Sequence, residues 1–183
     1  FVVGKKQDAI LIICPWSRCR LTRILRIMKN SNPNGIRLYG KPGALEPKVF
    51  PDALKTRGHS MAMIQINTLQ VLRGADPAGS YEFRIDDAIE EVFRYFVKPE
   101  KKVLLETVGE NGEYLGHLPE GRCVIPGHAI ETAWFIMEEG RHRNDTELVK
   151  RALPILDWSL EFGWDEKYGG ILYYLDVEER QPV

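Results

Sequence analysis

The sequence predicts an all-α protein, built of helical hairpins in series with short β-hairpins gathered at one end of each pair. Three observations carry that prediction. Apolar residues recur at helical spacing in four separate stretches. Each stretch ends at Gly, Pro or Asn-Asp punctuation. The order helix, helix, strand pair then occurs twice, with Lys98-Pro-Glu-Lys-Lys-Val103 and Gly163-Trp-Asp-Glu-Lys-Tyr168 at equivalent points. Repeated helix pairs bury their apolar faces only against neighbouring copies. Such arrays stack as open solenoids or close into a ring of inner and outer helices. Hairpins recurring at one end of every pair favour the ring, where they would rim a central pocket.

Taken in order, Lys5–Lys29 fits the pattern worst. Its cluster Arg18, Arg20, Arg23, Arg26 and Lys29 reads as a solvated helix face, because only Trp16 interleaves it and nucleic-acid binders mix aromatics with their cations. Ile24–Asn30, followed by Asn32–Tyr39, looks like the tail of an earlier copy. The first complete helix covers Arg57–Arg73 and ends at Gly74-Ala-Asp-Pro77. Tyr81–Val97 follows, with Ile85, Ala88, Ile89, Val92, Phe93 and Phe96 on one face and Pro99 as its stop. Val103–Tyr114 reads as one β-hairpin, with LLETV and EYL flanking Glu110-Asn-Gly112. Pro126–Glu139 is a third helix with proline at its preferred first position. Asn144-Asp-Thr-Glu147 caps a fourth, which runs to about Phe162 with a kink at Pro154. Gly169–Asp176 repeats the strand that follows the second helix.

About two and a half pairs are present, too few to close a ring. The chain starts at Phe1 without a methionine and stops at Val183, just past a hairpin. It is therefore expected to be a piece of something longer, a single incomplete domain over residues 1–183.

Composition narrows the function classes. At 183 residues and 44% hydrophobic content, one ordinary core can be buried. A net charge of −1 gives no bias toward nucleic acid or anionic membrane, so neither partner is expected. The apolar run Ala9–Cys14 is far too short to span a bilayer. Cys14, Cys19 and Cys123 are odd in number and form no CxxC, which reads as free thiols in a reducing compartment. A soluble, cytoplasmic protein is the plain expectation.

The densest chemistry lies in Gly121-Arg-Cys-Val-Ile-Pro-Gly-His-Ala-Ile-Glu131. His128 falls in the first turn of a helix and Glu131 three residues on, a spacing that shares one helix face. The positive helix terminus discourages protonation of His128, while the carboxylate favours imidazolium once a proton arrives. Together these describe a positioned general base. On spacing alone such a pair is more often a structural contact than a catalytic one. Gly127 would let a ligand approach the backbone, and Arg122 offers a cation for substrate oxygens. No metal is expected, because no second histidine stands four residues away in an HExxH pattern. A serine nucleophile lacks its GxSxG context. His117 and His142 read as surface residues, and His59 as a pocket residue at the start of the equivalent helix.

GRCVIPGHAIETAWF, preceded by LLETVGENGEYL and followed by GWDEKYGGILYYLD, resembles the N-acylglucosamine 2-epimerase family. The similarity runs from about Arg57 to Asp176. Its most specific parts are PGHxxE over Pro126–Glu131 and GWDxxxGGxxY over Gly163–Tyr173. The resemblance implies an (α/α)6 toroid of twelve helices, which this chain would supply in part. It implies interconversion of sugars epimeric at C2, of the N-acylglucosamine/N-acylmannosamine, cellobiose or mannobiose kind. A proton leaves the carbon beside the carbonyl of the opened sugar and returns on the opposite face, and two histidines share the work.

On this reading His128 is the histidine of the PGH motif and Glu131 its supporting carboxylate. Arg57, His59, Arg122 and Trp164 complete the substrate-binding set. No cofactor is implied, although a nucleotide activator that takes no part in the chemistry is compatible, as is a homodimer. Two departures stand out. Ile125 replaces the asparagine often found before PGH, and the second catalytic histidine lies in the family beyond the equivalent of Val183. Half an active site is therefore expected here. An aldose–ketose isomerase and a catalytically incomplete saccharide binder are the alternatives. A toroidal glycoside hydrolase ranks last, because Glu90-Glu91 and Glu138-Glu139 read as solvated helix faces.

Overall fold

The computed structural model describes residues 53–179. From Lys55 onward the chain belongs to one compact unit. The basic cluster at 18–29, the earlier copy at 24–39, Cys14 and Cys19 lie outside the described residues. The unit is mostly helical with a few short strands, as the sequence predicts. Strand β1 (Thr56–Gly58) leads into helix α1 (His59–Ala75), and α2 (Glu82–Glu91) follows. After β2 (Val97–Lys98), β3 (Val103–Leu104) and β4 (Thr107–Gly109) comes a single turn of helix, α3 (Pro119–Arg122). Strand β5 (Cys123–Val124) then enters α4 (Pro126–Arg143), which is followed by α5 (Thr146–Gly163) and β6 (Leu175–Asp176).

Helix α1 packs against α2 and α4, and α4 packs most extensively against α5. Ile66, Ile85, Ile89, Val92, Phe96, Ile136 and Ile155 fill the shared interior. Each such side chain stabilises the fold by roughly 1.5–3 kcal/mol on burial. Small residues set how closely the helices approach. A Cβ at Gly140 would stand 2.7 Å from Val149 Cγ2 and 2.9 Å from the Asp145 carbonyl oxygen, so α4 and α5 meet there backbone to backbone.

The third helix outruns its expected end and reaches Arg143. Asn144 terminates it in the left-handed conformation, φ 56°, and the Asp145 N–H closes back on the Gly140 carbonyl at 2.8 Å. Asp145 is then the N-cap of α5, its carboxylate accepting the Leu148 N–H at 3.0 Å. The second helix also departs from expectation. Its last turn, Val92–Phe96, widens to π geometry, and the Phe96 carbonyl accepts the Leu105 N–H at 3.0 Å.

The strand pairing differs most. Val103–Tyr114 is not one hairpin. β3 pairs back with β2, while β4 crosses to β1, with Thr56 opposite Gly109 and Gly58 opposite Thr107. Glu106 sits at the break between them, its backbone held on both sides. Its N–H donates to the Cys123 carbonyl at 3.1 Å, and its carbonyl accepts the His59 N–H at 2.9 Å. The segment read as a closing strand, Gly169–Asp176, is likewise divided. Ile171 bridges Trp164, and only Leu175–Asp176 pairs with β5.

A further correction concerns Glu139, which is not on a solvated face. It is fully buried. Arg73 of α1 grips it with two nitrogens at 2.7 and 2.9 Å, Gln70 donates at 3.0 Å, and Arg143 completes the set while reaching Asp86 of α2. Burial pushes this carboxyl up, but the donated hydrogen bonds outweigh it and hold the group at about 2.

Candidate active site

Helices α1 and α4 begin side by side, because His59 of α1 and Cys123 of β5 bond the backbone of the same residue, Glu106. That brings together His59, the first residue of α1, and His128, in the first turn of α4. His128 Nδ1 lies 3.1 Å from Glu106 Oε1, and His59 Nδ1 lies 3.5 Å from the same oxygen. Burial pushes the Glu106 carboxyl up, and the His59 and His128 imidazoles outweigh that, holding it below the ordinary carboxylate range. It is therefore an anion, and an anion only accepts. Nδ1 of His128 must carry the proton of that bond, which leaves Nε2 of the neutral ring as the acceptor. With its side chain 33% exposed, the His128 ring reaches solvent.

Thr132 fixes the other ring. Its hydroxyl donates to the His128 carbonyl at 2.8 Å, so its oxygen accepts from His59 Nε2 at 2.9 Å. His59 is fully buried, stacked edge-on against Phe96 at 5.5 Å between centroids, and its Nδ1 has no hydrogen-bond partner. Behind Glu106, burial pushes the Cys123 thiol up, which keeps this buried cysteine protonated near neutral pH.

The structure thus places a carboxylate on His128, but it is Glu106 and not Glu131. Glu131 is exposed, and no hydrogen bond or ion pair joins it to His128. Spacing put the two on one face; the imidazole turns instead toward the chain crossing beside the helix start. His59 does belong to the cluster, though buried. Arg122 does not present a free cation: its guanidinium is buried against Asp176 at 2.8 Å and the Gly116 carbonyl at 3.0 Å. Arg57 is drawn off by Glu91 at 3.6 Å, the Glu110 carbonyl and the Tyr95 ring. Trp164 caps the C-terminal end of α5 and bridges Ile171, sharing no hydrogen bond with the cluster.

Glu106 and Thr132 are the residues that sequence reasoning missed. The signal for Glu106 was faint: one carboxylate inside the largely apolar run Val103–Val108. The fold also overtakes the argument from local spacing against a metal, since a second histidine arrives from another helix. His59, Glu106 and His128 present donor atoms all within 4.8 Å of one another.

Fold and site define a class of all-α proteins: repeated helical hairpins with a histidine–carboxylate cluster where two adjacent helices begin. The sequence profile of the N-acylglucosamine 2-epimerase family matches residues 41–183, and the chain belongs to that family. It is similar to the N-acylglucosamine 2-epimerases of Homo sapiens, 30% identical over 150 residues, and Bos taurus, 27% identical over 144. These alignments take in 80% and 78% of the chain. The chain spans only about a third of the relatives' own length, 32% and 34% respectively.

Proposed function

We propose that this chain carries one face of a sugar 2-epimerase, acting on the C2 proton of an opened aldose or N-acylhexosamine. The observation that supports it most directly is the His128–Glu106 bond. A partly buried carboxylate holds Nδ1–H, so Nε2 is the nitrogen that takes the C2 proton, and the carboxylate stabilises the resulting imidazolium. His128 is the base, Glu106 its positioning residue. Glu131, exposed one turn further along α4, would meet the sugar and not the imidazole. Arg122, Arg57 and Trp164 shape the rim and do not touch substrate.

A toroid completed by further helical hairpins accords with the exposed apolar side chains Met61 and Ile64 on α1 and Trp134 on α4. A sugar is the only partner this reading requires; a nucleotide activator and a homodimer are compatible with it. The second histidine, which would return the proton on the other face, is not supplied by His59, since that ring is buried.

Incubation with N-acetylmannosamine or cellobiose in D2O tests the reading. Deuterium should enter at C2, and His128→Ala should abolish its entry. Full exchange by His128→Ala would overturn the assignment of the base. Absence of exchange by the folded chain would favour a saccharide binder that does not turn over.

A further inference from the structure

We propose that His59, Glu106 and His128 form a binding site for a divalent transition-metal ion of the zinc or cobalt type. One donor atom from each residue lies within 4.8 Å of the others, and Glu106 Oε1 stands against Nδ1 of both rings. Ligand bonds to zinc of about 2.0–2.2 Å put tetrahedral ligands roughly 3.3–3.6 Å apart. The His59–Glu106 separation, 3.5 Å, already has that size, and the His128–Glu106 separation, 3.1 Å, has only to widen slightly. The two rings have to draw closer, and His128, with its side chain 33% exposed, is the more open of the two.

The second observation is the orphaned atom. His59 is fully buried, and its Nδ1 finds no hydrogen-bond partner. Leaving a buried polar atom unpaired costs roughly 1–3 kcal/mol, which a ligand at that atom would offset. Thr132 also settles the tautomer. With Nε2–H given to the Thr132 hydroxyl, Nδ1 is the ring atom of His59 turned to Glu106, at 3.5 Å. A ligating histidine whose other ring nitrogen is held by a fixed polar group is the usual support of a metal site. Two imidazoles and one carboxylate suit zinc, cobalt or nickel better than magnesium or calcium. When the ion enters, the proton on His128 Nδ1 moves through solvent to Nε2. The ion then takes that proton's place beside the carboxylate, and with Nε2 protonated the metal-loaded site does not act as the C2 base.

The site is tested with the full chain and cobalt(II) chloride alone. One equivalent should saturate a visible d–d band, and zinc should bleach it. His128→Gln and Thr132→Val nearly preserve volume, and circular dichroism checks that both fold. Each should weaken cobalt binding about tenfold or more, while the surface variant His142→Gln should leave it unchanged. Three results would overturn the proposal. One is no visible band at millimolar cobalt, and another is unaltered affinity in His128→Gln. The third is a strong near-ultraviolet thiolate-to-cobalt band, which would place the ion on cysteine.

Discussion

Thr132 carries a single hydroxyl proton, and the fold commits it to the His128 carbonyl one turn back. Everything about the two imidazoles follows from that commitment and from the charge on Glu106. The pairing is decided by residues 22 and 73 positions apart in the chain, beyond the reach of helical spacing. His128 was legible because its motif is local, and Glu106 was not, because its partners come from two other elements. The contrast between the carboxylates is directly testable. Glu106→Gln keeps the shape but withdraws the anion that holds Nδ1–H, and should lower C2 exchange by about 10²-fold or more. Glu131→Gln should lower it far less than that. Equal losses, measured as initial rates of deuterium uptake, would return Glu131 to the imidazole.

Among the elements, the four long helices were readable from periodicity, with ends shifted by a few residues. The strands were not, because each is two or three residues long, and β1 and β5 pair with segments distant in sequence. Two motifs quoted separately in the sequence prove to be in contact. A Cβ at Gly163, the end of α5, would stand 2.5 Å from Pro126 Cβ, the start of α4. Gly163→Ala must therefore displace the turn that bears His128. It should cost roughly 1–3 kcal/mol in urea denaturation, and C2 exchange should fall with it. Gly127→Ala offers the opposite sign. Its Cβ meets nothing within 4 Å, so alanine should be tolerated or stabilise the helix by up to about 1 kcal/mol. A destabilised Gly127→Ala, or a Gly163→Ala chain as stable as its parent, would refute this account of the helix start.

At the scale of the whole molecule, the Glu139 cluster ties α1, α2 and α4 together at the end opposite the histidines. Its carboxyl sits at about 2 in the folded chain, against an ordinary 4.5. A depressed value contributes stability above the unfolded value and loses it as pH falls through the folded one. The stake is about 3 kcal/mol, fully present above about pH 4.5 and lost toward pH 2. Stability measured by urea from about pH 6 to about pH 3 should therefore fall more steeply for the parent than for Glu139→Gln. Parallel slopes would sink the claim. Composition hid this residue: a Glu-Glu pair looks solvated, and only packing reveals that the second of the two faces inward. The described residues contain no helix long and apolar enough to cross a membrane.

The clasped strands have one more consequence. A constant displacement in sequence carries Thr56, Val97, Leu104 and Gly109 onto Cys123, Trp164, Ile171 and Asp176, pair for pair in register. Each helical hairpin is thus a closed module whose first and last residues are cross-strand neighbours. A cassette bounded in this way can be exchanged between relatives, or reopened by circular permutation at the exposed turn 98–102, without stretching the backbone at either seam. The site would survive such surgery only where the two cassettes touch through Glu106, so grafting one without the other separates a base from its anion in a protein that otherwise still folds.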